Sequence, residues 1–179
     1  MVVCVTGKIA TGKSTVSQFF AQKGFDYINV DKLGHLAFEI NKERIKKVFG
    51  TCNRKEVAKI VFSDAEKLAL LESIVHPTML ELLKNELDAR RGKDTVIEAA
   101  IKRRLGIDCC DITITVVCDE NVIKERLKER YEEELIEKIL ERQKDIEPEG
   151  IIVTNNSSLE DLNNQLEKIY EQIIKKVKG

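Results

Sequence analysis

Val2-Val3-Cys4-Val5-Thr6-Gly7-Lys8-Ile9-Ala10-Thr11-Gly12-Lys13-Ser14 opens the chain, and the fold class follows from it. The β-branched, apolar run Val2–Thr6 predicts a buried strand that stops at Gly7. Gly7–Ser14 then satisfies the pattern G-x-x-x-x-G-K-S. Ser14–Lys23 carries Val16, Phe19 and Phe20 at helical spacing, with Gly24 placed to end the helix in a left-handed conformation. Strand, glycine loop and helix in that order build an anion cradle. Glycines let the main chain wrap with its N–H groups inward, and the helix adds its positive end. Lys13 is expected to reach the β- and γ-phosphates of a nucleotide, and the Ser14 hydroxyl to ligate Mg²⁺. Lys8 and Ala10 stand where glycine is common, so the loop is expected to close only if both keep a negative φ.

Beyond this segment the chain alternates. Tyr27–Val30 reads as a second strand ending at Asp31, Thr95–Ala99 as a third, Ile112–Cys118 as a fourth and Ile151–Thr154 as a fifth. Glu120–Gln143 is predicted helical with a break near Tyr131, and Ser158-x-x-Asp161 caps a final helix. Between Leu33 and Arg91 only helical pieces are found. Ser63-x-x-Glu66 reads as a capping box before Leu68, and Pro77 suits the first position of a helix that Gly92 stops. The expectation is an α/β fold: a five-stranded parallel sheet with helices on both faces, an inserted helical subdomain and a helical lid. One domain over residues 1–179 is expected, with 1–31, 93–119 and 144–179 as the nucleotide-binding core, 32–92 as the helical subdomain and 120–143 as the lid.

Several side chains fall at the strand ends, where ligands of open α/β sheets sit. Asp31 suits a base that takes a hydroxyl proton; its other reading is an N-cap for the next helix. Glu98 suits a water-mediated Mg²⁺ ligand or a partner that orients Lys13, and equally a cap. Lys102-Arg103-Arg104 follows the third strand, and Arg126 and Arg130 lie four apart on one helical face. Such cations neutralise a transferring phosphoryl group, or else belong to a solvated face laced with glutamates.

Composition narrows the remainder. The chain has 179 residues, 42% hydrophobic and 34% charged, with a net charge of −1. That profile excludes a disordered chain and gives no broad attraction to nucleic acid. No apolar run approaches membrane-spanning length, and Met1–Val5 lacks the basic start of a signal peptide, so a cytoplasmic domain is expected. Five cysteines without Cys-x-x-Cys spacing argue against a disulfide framework and a zinc site. Cys4 and Cys118 read as small core residues, and Cys109-Cys110 as inert rather than redox-active.

The ordered motifs together resemble the dephospho-coenzyme A kinases of the P-loop kinase superfamily. Thr6–Thr15 is similar to that family's phosphate loop, and Tyr27-Ile28-Asn29-Val30-Asp31 to its second-strand segment, with Asp31 on the catalytic acid. Asn53-Arg54 through Asp64 resembles its Arg-containing helix, and Leu71-Glu72-Ser73-Ile74-Val75-His76-Pro77 its His-Pro segment. Arg126–Arg130 is similar to its lid arginines, Ile139-x-x-x-Gln143 to the helix that follows, and Ile152–Ser157 to its turn beside adenine. Asn29 replaces an Asp of the pattern, Lys138 replaces a lid-helix Arg, and the stretch Glu98–Lys102 lacks the usual proline.

The resemblance implies ATP-dependent phosphorylation of the ribose 3′-hydroxyl of dephospho-CoA, giving CoA and ADP. It implies ATP with Mg²⁺, the metal held through Ser14. ATP is expected on Gly7, Lys8, Ile9, Ala10, Thr11, Gly12, Lys13, Ser14 and Thr15, with adenine near Asn155 and Asn156. Asp31, Lys13 and Arg130 are expected to act in catalysis, and Asp31, Arg54, His76, Glu98 and Arg103 to bind the acceptor; His76 also reads as a packed histidine before Pro77. Small molecules are the expected partners, without nucleic acid or membrane, in a monomer or weak homo-oligomer. The alternatives are another P-loop small-molecule or nucleotide kinase, or an inactive nucleotide-binding regulatory module.

Overall fold

In the computed structural model, which describes residues 1–178, the chain divides into two compact units: Met1–Ile28 together with the chain from Gly92 onward, and Asn29–Arg91. The strands are β1 (Val2–Gly7), β2 (Asp26–Asn29), β3 (Thr95–Glu98), β4 (Ile112–Val117) and β5 (Ile151–Thr154). They form one sheet in the order β2-β3-β1-β4-β5. β1 is central, pairing in parallel with β3 (Val5 opposite Glu98) and with β4 (Gly7 opposite Val116); β4 pairs in parallel with β5.

Because β1 is covered on both faces, its run is apolar throughout rather than alternating, and Val3, Cys4 and Val5 are fully buried. On one face α1 (Lys13–Gln22) and α9 (Leu159–Lys178) supply Val16, Phe19, Phe20, Leu162 and Leu166 to the core around Val3 and Val5. Ser158 Oγ accepts from Asp161 N at 3.1 Å, which is the cap expected for α9.

α7 (Glu120–Leu127) and α8 (Glu133–Arg142) replace the single helix with a break, as the sequence near Tyr131 predicts. Their buried Ile123, Leu127, Ile136 and Leu140 form a small cluster against which Ile9 and Ala10 of the glycine loop pack. α7 and α8 thus rest on the loop. A four-residue helix, α6 (Lys102–Leu105), is too short for sequence periodicity to reveal.

The second unit holds α2 (Val30–Ile40), α3 (Lys42–Phe49), α4 (Arg54–Phe62) and α5 (Ala65–Ala89). Three expectations are corrected here. Val30 and Asp31 belong to α2 and not to a strand, because Asn29 caps the helix, its Oδ1 accepting from Asp31 N at 2.9 Å and Lys32 N at 3.4 Å. The cap of α5 is Asp64, which accepts from Glu66 N and Lys67 N, one residue later than the predicted Ser63 box. Pro77 lies inside α5 instead of starting a helix. Burial of Ile74, Val75, Met79 and Leu83 along one face of α5 outweighs the lost hydrogen bond, since tertiary packing supplies most helical stability.

A fourth correction concerns cysteine. Cys4 and Cys110 form a disulfide with Cα atoms 5.7 Å apart, so Cys4 is not merely a core residue and the bond ties β1 to the segment before β4. The spacing rules fail because the two cysteines are 106 residues apart and meet only through parallel strand pairing. Cys52, Cys109 and Cys118 are free thiols.

Candidate active site

The glycine loop is held by contacts from four directions. Inside it, Thr11 Oγ1 donates to Lys8 O at 2.8 Å and Lys13 Nζ to the same oxygen at 2.9 Å. From the end of α8, Gln143 Oε1 accepts from Ile9 N at 2.7 Å. From α7, Arg126 Nη1 donates to Ala10 O at 2.8 Å. After β5, Asn155 Nδ2 donates to Thr11 O at 2.8 Å. A backbone supported this way has little to reorganise when an anion enters, which is where affinity for phosphate originates.

Glycine is required at both of its motif positions. Gly7 has φ +146° and Gly12 +100°. A Cβ on Gly7 would sit 2.5 Å from Val116 O, and one on Gly12 2.5 Å from Asn155 Nδ2. Ala10 corrects the expectation of a negative φ: at +61° it is the one non-glycine residue with positive φ among the described residues. Left-handed backbone costs an ordinary residue about 1–2 kcal/mol. The Arg126 bond to its carbonyl and its packing against the α7–α8 cluster offset that strain. Lys8 meets the expectation.

Glu98, at the end of β3, is 3% exposed. Its carboxylate accepts from Tyr27 Oη at 2.6 Å and from Ser14 Oγ at 3.2 Å. A buried carboxylate beside the motif hydroxyl is an all-oxygen donor pair, which suits a hard cation such as Mg²⁺ that keeps several waters and takes few protein ligands. No group of three or more His, Cys, Asp or Glu side chains able to hold a metal exists among the described residues. Nothing in the spacing of Tyr27 marks it as the support of Glu98.

Beside the loop lies a cavity of about 460 Å³, lined by Ile9, Ala10, Thr15, Arg126, Arg130 and Asn155 among others. Arg126 is its best-anchored cation. Besides Ala10 O, its guanidinium donates to Asn155 O at 3.1 Å and to Cys118 Sγ at 3.2 Å. Cys118 Sγ in turn donates to Asn155 O at 2.9 Å. Burial pushes the Cys118 thiol up, against the opposing pull of Arg126. Asn156 Oδ1 accepts from Asp119 N at 2.7 Å and so fixes the start of α7. The structure therefore gathers Gly7–Thr15, Glu98, Arg130, Asn155 and Asn156 in the first unit.

Arg103 sits elsewhere in its interactions. Its guanidinium pairs with Glu147 at 3.1 Å and Glu149 at 3.2 Å, and Glu147 leads the influences that raise its pKa.

Within the helical unit, Arg54 begins α4, and it lines, with His35, Glu72, His76 and apolar Phe38, Val57 and Met79, a groove of about 270 Å³. His76 Nε2 is 3.9 Å from Glu72 Oε2. Asp31 occupies the first turn of α2, where the helix dipole favours a carboxylate.

A parallel sheet with a glycine loop leading from its central strand into a helix, two helices packed on that loop and a helical insertion after β2 defines a P-loop kinase. The model of the dephospho-CoA kinase family matches residues 1–161, and the chain belongs to that family. It is similar to the dephospho-CoA kinases of Borreliella burgdorferi (34% identical, covering 97% of this chain and 95% of the relative) and Fusobacterium nucleatum (34%, 97% and 98%). A solved protein from Thermus thermophilus superposes with a TM-score of 0.79 at 27% identity, covering 96% and 97% of the two chains. The dephospho-CoA kinase of Campylobacter jejuni, at 21% identity and a TM-score of 0.62, shares the fold. The enzyme is a dephospho-CoA kinase by this assignment, acting at the last step of CoA biosynthesis, and neither alternative weighed on the sequence is favoured.

Proposed function

We propose that this chain transfers the γ-phosphoryl group of ATP to the ribose 3′-hydroxyl of dephospho-CoA with the following division of labour. The amides of Gly7–Thr15 and the Lys13 ammonium hold the phosphates, and adenine lies beside Asn155 and Asn156. Arg54 and His76 bind the acceptor in the helical unit. Asp31 takes the 3′-hydroxyl proton as the ribose oxygen attacks phosphorus and the bond to the ADP oxygen breaks. Arg130 and Lys13 spread the charge of the loose transition state. Ser14 would hold Mg²⁺, with Glu98 near it; when bound, the ion offsets negative charge on the β- and γ-phosphate oxygens.

The observation that carries this reading is the four-sided support of the loop in a chain matched to the family over residues 1–161. Arg103 and Glu98 complete the acceptor-binding set, Arg103 being oriented by its pairs with Glu147 and Glu149. The reading also places the enzyme in the cytoplasm as a monomer or weak homo-oligomer, without nucleic-acid or membrane partners. No helix among the described residues is long and apolar enough to cross a membrane.

A coupled ADP-release assay with dephospho-CoA tests the proposal. Asp31→Asn should lower kcat by about 10²- to 10⁴-fold, the usual contribution of a general base, with little change in the KM for ATP. Undiminished turnover in that variant would remove Asp31 from the mechanism.

A further inference from the structure

The basic triplet of α6 is engaged by carboxylates. Three consecutive cations meet three anions at alternate positions of the segment that follows α8. Lys102 Nζ is 2.7 Å from Glu149 Oε1; Arg103 reaches Glu147 at 3.1 Å and Glu149 at 3.2 Å; Arg104 Nη2 is 2.6 Å from Asp145 Oδ2. The order is antiparallel: 102 with 149, 103 with 147 and 149, 104 with 145. The space between the segments is about 20 Å³, room for about one water and far less than the cavity of about 460 Å³ beside the glycine loop.

Both ends of the acidic segment are fixed to something else. At its far end Thr115 Oγ1 donates to Glu149 O at 2.6 Å, and Glu149 N to Thr115 Oγ1 at 2.9 Å. At its near end Arg104 Nη2 also donates to Arg142 O at 3.3 Å. The next residue, Gln143, is the one whose Oε1 accepts from Ile9 N of the phosphate loop at 2.7 Å. The chain of contacts runs from the sheet, through the ion pairs, to the loop amide.

We propose that the ion pairs between Lys102–Arg104 and Asp145–Glu149 form a zipper that positions Gln143 against Ile9 and thereby sets the loop's affinity for ATP. Arg104 is a positioning residue, acting through the end of α8. Surface pairs taken singly are weak, but here one geometry is shared by several pairs and a main-chain bond, and the element they fix touches the binding loop. The inference rests on the loop being the ATP site.

Steady-state kinetics of the full enzyme test it. Arg104→Ala should raise the KM for ATP by about fivefold, the lower end of coupling between linked sites, while kcat and the KM for dephospho-CoA stay within about twofold. Gln143→Ala should do the same, and the double variant should be no worse than Gln143→Ala alone, because both changes break one path. The exchanged pair Arg104→Asp with Asp145→Arg should recover the part of the loss that the ion pair carries, while the bond from position 104 to Arg142 O stays lost. Additive effects in the double variant, or no rescue by the exchange, overturn the proposal. Calorimetric ATP binding to Lys13→Ala separates the two levels. Lost binding there with unchanged binding in Arg104→Ala overturns the coupling and leaves the ATP site standing; undiminished binding in Lys13→Ala overturns the site and the coupling with it.

Discussion

Under the proposed function, the two units of this chain meet their ligands by different means. In the sheet unit the candidate site is main chain: the Gly7–Ser14 loop, its Ile9 N–H held by Gln143 and its Ala10 and Thr11 carbonyls by Arg126 and Asn155, rises from a strand that is buried and covalently tied through Cys4 to Cys110. In the helical unit the candidate groups are side chains: Arg54 of α4 and His76 of α5 line a groove together with His35, Phe38, Val57 and Met79. Main-chain recognition demands glycines and a rigid support, and both leave marks in sequence. Side-chain recognition from helices needs only that a few polar residues fall on one face, which any amphipathic helix provides.

That contrast is open to attack, and the largest effect is expected from the disulfide. Reducing Cys4–Cys110 should destabilise the protein by about 2–4 kcal/mol, as for other bonds closing long loops. Urea titrations with and without reductant measure this. Hydrogen exchange should show the loss in β1 and β4 and not in α5; equal loss in both units would erase the difference in how they are built. Next, Gly12→Ala should raise the KM for ATP at least about tenfold. A Cβ there collides with Asn155 Nδ2, which is bonded to Thr11 O, and the residue keeps a φ that L side chains resist. Wild-type nucleotide kinetics in this variant would show that main-chain shape is not what binds phosphate.

Arg54→Ala tests the helical side. It should raise the KM for dephospho-CoA about tenfold, typical of a lost charge-assisted contact, and leave the KM for ATP alone. A shift in the ATP constant instead would mean that the units do not divide the work.

The smallest effect concerns pH. The Lys102 ammonium, helped by Arg103 and opposed by burial, holds the Glu149 carboxyl below its ordinary value of 4.5. A carboxyl lowered in the folded state stabilises the protein above its unfolded value, and that stability is lost as pH falls through the lowered one. Glu149→Gln should therefore melt at a slightly lower temperature at neutral pH, and the gap should close below about pH 4.5. A gap that persists in acid would mean that packing, and not charge, is what Glu149 contributes.

Much of the sheet unit could be read directly. Val2–Gly7, Ile112–Val117 and Ile151–Thr154 lie where apolar β-branched runs put them, and the break between α7 and α8 fell near Tyr131. The failures are local competitions. Asn29 outcompeted Asp31 for the cap, and Asp64 outcompeted Ser63, because cap choice depends on backbone angles that side-chain type constrains only weakly. Pro77 stayed within α5 because the helix buries Ile74, Val75, Met79 and Leu83 on both sides of it. Lys102–Arg104 and Arg126 looked alike as cation clusters. One faces carboxylates and the other faces the carbonyls of the nucleotide loops, a distinction no spacing encodes.

By itself, then, the order of residues determined the phosphate loop, the strand–helix alternation around it and the membership of a kinase family, since each depends on contacts between near neighbours or on residue types that one backbone shape requires. Only the tertiary structure decided that Cys4 meets Cys110, that Tyr27 supports Glu98, that Gln143 holds Ile9 and that the basic triplet answers an acidic segment some forty residues away. Those pairings join positions whose separation along the chain is arbitrary, and they come into being only when the parallel strands set their distant ends side by side.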